Sequence, residues 1–399
     1  MTSDDRINSS HNLWTMRIYY FLWLGGLGFF WPFFNLFCAR LGLNGTQIGW
    51  IASIASLMAL IFSPIWTDIA AKSGKGRLIL QISLITSALL AIILGQQMTF
   101  IWILVINAIR IIAFAAISPL SDSLAVSVTE STRSGFGSIR VWASVGWCPI
   151  VLIAGWLIER NGISIIFFGT AVTMLLAAIS LIFIHHNWLN TKRSQSESSH
   201  SLFSVIKILL HNRAAIGYGL LLIAIGIGNC GVQQFEILYM DKLGSSEFLI
   251  GVAGMIGAII ELPMMPWTDR LLRGRSTARQ LLLISMLSYA VLRLMVYFFP
   301  SVAMIIITRV LAGVSFSFYT IAGIRYISDL LPDPARGIVM ALYTVTLINI
   351  INIFATPLTG MAYDLFGAPW MYVIAAVGYF IGWLCLYFVR EPANILVEG

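Results

Sequence analysis

The sequence predicts an all-α polytopic membrane protein, with twelve transmembrane helices in two six-helix repeats. Three observations predict it. Hydrophobic residues make up 59% of the 399 and charged residues 10%, against about 25% charged in a soluble domain. Apolar runs long enough to cross a bilayer recur along the chain, separated by short polar breaks. Short sequence elements reappear about 202 residues later. So much apolar surface has no place in one water-soluble globule, which excludes a soluble enzyme, a disordered chain and a disulfide scaffold.

The runs fall at about 13–38, 47–68, 78–97, 100–126, 139–158 and 163–184. In the second half they fall at about 214–240, 247–268, 279–299, 302–327, 336–361 and 370–389. Each must be helical, because the polar groups of a backbone in lipid have to be paired within the segment. The first twelve residues are polar, and the apolar run after them is too long for a signal peptide core. The expected domains are a six-helix bundle at 13–184, a linker at 185–213 and a second bundle at 214–390.

Orientation follows from the basic residues. Of the 24 Lys and Arg, Arg40, Arg160 and Lys242 fall in one set of loops, and Arg110, Arg293 and Arg309 fall inside spans. The other eighteen lie on the side of the termini. That bias predicts cytoplasmic termini in a bacterial-type plasma membrane. It also accounts for the net charge of +7 without nucleic acid as a partner. The linker is rich in Ser and charge and then turns amphipathic at 202–210, as expected of a segment lying on the inner surface. It holds His185, His186, His200 and His211, which read as solvated rather than metal-binding. Cys38, Cys148, Cys230 and Cys385 have no ligand spacing and read as small core residues. No metal, cofactor or catalytic residue is expected, and no arrangement at membrane depth suits an enzyme.

The repeat is the strongest organising signal. Leu41-Gly42 and Gly49 recur as Leu243-Gly244 and Gly251. Trp66-Thr67-Asp68 recurs as Trp267-Thr268-Asp269. Gly155, Glu159 and Gly162 recur as Gly360, Asp364 and Gly367. Two parallel six-helix copies suggest a transporter that rocks around a midplane site. A G-x-G-x-x-G pattern at Gly226, Gly228 and Gly231 lies within a span and reads as close helix packing, not a nucleotide site.

Asp68 with Gly74-Lys75-Gly76-Arg77 resembles the inner-loop motif of the major facilitator superfamily. Asp269-Arg270 with Arg273-Gly274-Arg275 resembles its second copy. A narrower resemblance rests on Pro119-Leu-Ser-Asp122 and on Gly137-Ser-Ile-Arg140-Val-Trp142-Ala-Ser144-Val-Gly146-Trp147. These look like the region around helices 4 and 5 in lactose permease, nucleoside proton symporters and phenylpropionate permeases. Glu261, Arg279, Arg293 and Arg325-Tyr326-Ile327 lean toward the phenylpropionate group. Thr320 stands where relatives often carry a His, so proton coupling would rest on carboxylates.

Ionisable groups inside a membrane are costly and mark function by default. Arg140, Ser144 and Trp147 share one helix face, and the resemblance implies that they contact substrate together with Asp122. The alternative is an inner salt bridge between Asp122 and Arg140. Glu261 is the candidate for proton coupling with Arg293 as its partner, or the two form a static pair. Arg110 and Arg309 either attract an anion or pair with Glu236 as an outer gate. The expected function is alternating-access transport of an aromatic carboxylate, sugar or nucleoside by proton symport, in a monomer whose partners are solute, protons and bilayer. An uncoupled facilitator or efflux carrier, and a receptor or scaffold without transport, remain open.

Overall fold

The computed structural model describes residues 3–130, 132, 135–184, 212–274, 276–330 and 339–388. The expected linker at 185–213 falls almost wholly outside the described residues, as does Arg275. Among the described residues twelve helices are long and apolar enough to span a membrane. They are α1 Ser10–Arg40, α2 Gly45–Ser73, α3 Gly76–Leu94, α4 Phe100–Thr129, α5 Gly137–Asn161 and α6 Ile165–Phe183. The second half supplies α7 Arg213–Lys242, α8 Glu247–Arg273, α9 Ala278–Phe298, α10 Val302–Asp329, α11 Val339–Phe366 and α12 Ala368–Phe388.

Local chemistry sets the ends and the breaks. Asn44 and Thr277 close capping boxes with Gln47 and Gln280 at the starts of α2 and α9, which satisfies backbone donors that have no partner inside the helix. Ser246 caps α8 through the Leu249 amide. Gly42 and Gly244 hold φ of 86° and 80° in the tight turns into α2 and α8, a region that side chains with a Cβ avoid. The turn at residues 31–33 of α1 coincides with Pro32, and that at Ala115 and Ala116 of α4 precedes Pro119. Proline removes a helical donor and crowds the carbonyl four residues back.

Packing repeats faithfully. In the first half α1 packs on α5 and α6, α3 on α4 and α6, and α2 on α4. In the second half α7 packs on α11 and α12, α9 on α10 and α12, and α8 on α10. The halves join chiefly through two helix pairs, α2 with α11 and α5 with α8, with a smaller contact of α1 on α7 where Arg40 pairs with Asp241. Each pair mates one repeated motif with another. A Cβ on Gly155 would lie 2.4 Å from the Glu247 carbonyl oxygen, and one on Gly360 would lie 2.2 Å from that of Gly45. Only a residue without Cβ lets the backbones approach so closely.

The apolar cores show which end is closed. Toward the end that bears the termini, each half has its own core. One is built on Trp23, Leu84 and Met174, the other on Tyr218, Leu282 and Met286. At the opposite end a single core takes Phe33, Ile48 and Val151 from the first half with Phe235, Met240 and Tyr372 from the second. The molecule is therefore sealed at the end away from the termini, while the halves stand apart at the other. Leu57, Ile61, Ile65 and Ile69 of α2 are exposed there.

Candidate functional site

A cavity of about 470 Å³ opens within the second half. Its floor is an ion cluster contributed by α7, α9 and α10. Glu236 is 6% exposed and accepts from Arg309 Nε at 2.7 Å, with a second contact from Arg309 Nη2. Arg293 Nη1 reaches the other carboxylate oxygen at 3.3 Å, and the Tyr372 hydroxyl donates to that same oxygen at 3.2 Å. One carboxylate thus faces two guanidinium groups, so the cluster carries one surplus positive charge. A buried carboxylate is tolerable only with such pairing and hydrogen bonding.

The walls are aromatic and amide-bearing. Tyr289 and Tyr379 stack with centroids 4.7 Å apart, and Tyr289 donates to the Ala312 carbonyl at 3.3 Å. Phe316, Tyr319, Asn229, Gln233 and Asn352 complete the lining. Glu261 of α8 is half-buried and lines the same cavity. Among the described residues it forms no ion pair. Flat apolar faces with a few convergent polar groups are the usual make-up of a small-molecule site. The cavity thus holds two carboxylates of different kind, one neutralised by arginines and one facing open space.

The MFS_1 like family matches residues 13–374. The chain belongs to that family. This MFS_1 like protein is accordingly a membrane transporter of permease type for small-molecule substrates, and not an enzyme. It is 26% identical over 333 residues to a maltose permease of Geobacillus stearothermophilus, covering 82% of each chain. It is 24% identical over 396 residues to the uncharacterized transporter YwbF of Bacillus subtilis, covering 96% of each. Among solved structures, the nucleoside transporter NupG superposes with a TM-score of 0.79 at 14% identity, over 95% of this chain and 100% of that one. A bacterial homolog of the lysosomal transporter Spinster, in an inward-facing and unoccupied conformation, gives 0.72 at 14% identity, over 95% and 97%. At such identities the solved structures share the fold.

The structure redistributes the pairings expected from the MFS_1 like sequence. Arg293 pairs with Glu236 rather than Glu261, and its guanidinium lies 6.0 Å from both the Tyr289 and the Tyr372 ring. Arg309 also joins Glu236, but Arg110 does not. Arg110 is 3% exposed, lies 4.0 Å above the Phe30 ring and donates to Asn107 Oδ1 at 3.1 and 3.3 Å. The place of Glu236 in the first repeat, by the 202 offset, is Phe34, so no acid is there to meet it. Asp122 accepts from the Tyr20 hydroxyl at 2.6 Å and makes no ion pair with Arg140, which is exposed. Ser144 is half-buried. Trp147 donates across the two halves to the Gly254 carbonyl at 3.2 Å. None of these four lines the cavity.

The inner-loop residues also divide differently. Asp68 pairs with Lys72 and Asp269 with Arg273, each within its own exposed helix end. Arg77 instead donates to the Ile182 and Ile184 carbonyls at the C-terminal end of α6. Its equivalent is Arg279, which donates to the Leu386 and Tyr387 carbonyls of α12. A cation on terminal helix carbonyls is favourable through both hydrogen bonds and the helix dipole. The 202 offset from Arg77 points to Arg279, whereas loop-motif matching points to Arg275. The tyrosine walls lie outside the residues expected from the sequence. Their signal lies in the spacing of Tyr289 with Arg293 and of Tyr372 with Tyr379, four and seven residues apart and hence on one face.

Proposed function

We propose that the chain is a proton-coupled permease that carries a small hydroxylated organic solute by alternating access, acting as a monomer. The observation that carries this reading is the contrast within one cavity. Glu236 is held by two arginines and a tyrosine, while Glu261 faces the cavity with no cation paired to it among the described residues. A carboxylate without a fixed counter-charge can take a proton on one side and release it on the other, as the access changes. The tyrosines supply flat faces for sugar or base rings, and Asn229, Gln233 and Asn352 supply donors and acceptors for hydroxyls. The maltose permease relative makes a sugar the first solute to test.

The charge bias puts the termini in the cytoplasm of a bacterial inner membrane, so the sealed end faces outward and the described state is inward-facing. Asp122, Arg140, Ser144 and Trp147 belong to the surface of the first half that would close over the solute. A second reading has one specific support. The surplus positive charge on the Glu236 cluster would be neutralised by an aromatic carboxylate solute.

The test uses the purified protein in liposomes with a disaccharide, a nucleoside and an aromatic carboxylate. Counterflow identifies the solute, and an imposed proton gradient drives its accumulation. Glu261→Gln is expected to retain counterflow and lose gradient-driven accumulation. Accumulation that survives in this variant removes Glu261 from the coupling role.

A further inference from the structure

One repeated motif has no part in the cavity, and its place in the fold gives it another use. The C-terminal end of α11 and the N-terminal end of α2 meet at the sealed end. Asn44 caps α2 by accepting from the Gln47 amide. The Gly45 and Thr46 amides, the next orphan donors, are taken by the other half. They donate to the two carboxylate oxygens of Asp364 at 2.6 and 2.8 Å, and the Thr46 hydroxyl donates at 2.7 Å. The pseudo-symmetric contact joins α5 to α8. Ser246 caps α8 through the Leu249 amide, and the Phe248 amide donates to Glu159 of the first half at 3.0 Å.

The correspondence holds position by position. In both contacts the helix's own cap takes the third amide, and a carboxylate from the opposite half takes the second. In both, a glycine four residues before the acid, Gly360 or Gly155, allows the close approach. A carboxylate at a helix N-terminus gains from charge-assisted hydrogen bonds and from the helix dipole. When the halves part at this end, the carboxylates and the amides separate and return to water.

We infer that Asp364 and Glu159 are a matched pair of clasps that hold the transporter closed at the end away from its termini and so set the balance between its two states. Their role is positional, since neither lines the cavity. The inference rests on the alternating-access reading for its second state. Asp364, with three bonds, is the stronger clasp. Loss of one such cap shifts an equilibrium by roughly fivefold, and loss of both multiplies the effect.

The test reads both ends of the molecule by maleimide labelling, in a variant whose four native cysteines are replaced by serine. Ser53→Cys reports the sealed end, where Ser53 is 3% exposed and donates across the halves to the Ile353 carbonyl. Ile61→Cys reports the open end, where the side chain is 43% exposed. Asp364→Ala is expected to raise labelling at position 53 about fivefold without raising it at position 61. Asp364→Asn, which keeps one acceptor oxygen, is expected to give a smaller rise, and adding Glu159→Ala a larger one. An unchanged rate at position 53 in the double variant overturns the clasp, whatever the transport assay gives. A rise at both positions is general loosening and also counts against it. A rise at position 53 alone upholds the clasp, because a fivefold gain in a minor state barely depletes the major one.

Discussion

Replacing Glu236 by Gln isolates the energetics of the ion cluster. The change is nearly isosteric, so it leaves packing intact and removes one negative charge. The cluster then passes from one surplus positive charge to two. Arg293 and Arg309 stay in place, with side chains 14% and 28% exposed. Breaking a buried ion pair from one side costs about 3–5 kcal/mol, because the remaining charge is buried and uncompensated. Partial exposure of Arg309 argues for the lower bound, about 3 kcal/mol. In a unit the size of the second half, 1 kcal/mol moves Tm by about 2–4 °C, so a fall of about 6–12 °C is expected. The assay is tryptophan fluorescence during heating of the purified protein, repeated at several scan rates because membrane proteins often unfold irreversibly. A double variant supplies the internal control. Glu236→Gln with Arg309→Met restores the original surplus charge, so it is expected to recover part of the lost Tm. A Tm for Glu236→Gln within 2 °C of the parent protein, or a double variant that sums both single losses, would refute the reasoning.

Arg110 tests the opposite case. It is buried against Asn107 and the Phe30 and Phe114 rings and forms no ion pair among the described residues, so its desolvation is poorly offset. Arg110→Met is expected to leave Tm unchanged or to raise it, and a fall of more than a few degrees would reveal a partner role. Arg77→Ala and Arg279→Ala each remove charge-assisted bonds to helix-end carbonyls. Each is expected to lower Tm by about 2–4 °C, from about 1 kcal/mol. Lys72→Ala, which removes an exposed pair with Asp68, is expected to have no such effect, and equal losses in all three would show that the carbonyl contacts are not the cause.

Sequence and structure divide their contributions along a physical line. Twelve spans and the two-fold repeat were legible because they follow from local rules. A lipid-facing segment must be apolar and helical wherever it lies, and a repeated motif can be matched without reference to packing. The family resemblance, carried by Asp68 to Arg77 and by Asp122 to Trp147, led to the correct superfamily for the same reason: its motifs are contiguous. The list of intramembrane charges was legible too, since each one is costly. Which charges meet was not, because a pairing depends on helix rotation and on what fills the space between. Glu236 drew Arg293 as well as Arg309 because α7, α9 and α10 converge below one cavity. Arg110 found no acid because Phe34 occupies the equivalent place on α1. Gly155, Glu159, Gly360 and Asp364 stood in the sequence as a repeat without a purpose. Only the crossing of α5 with α8 and of α2 with α11 gave each acid a helix terminus in the opposite half, a contact between residues up to 319 positions apart.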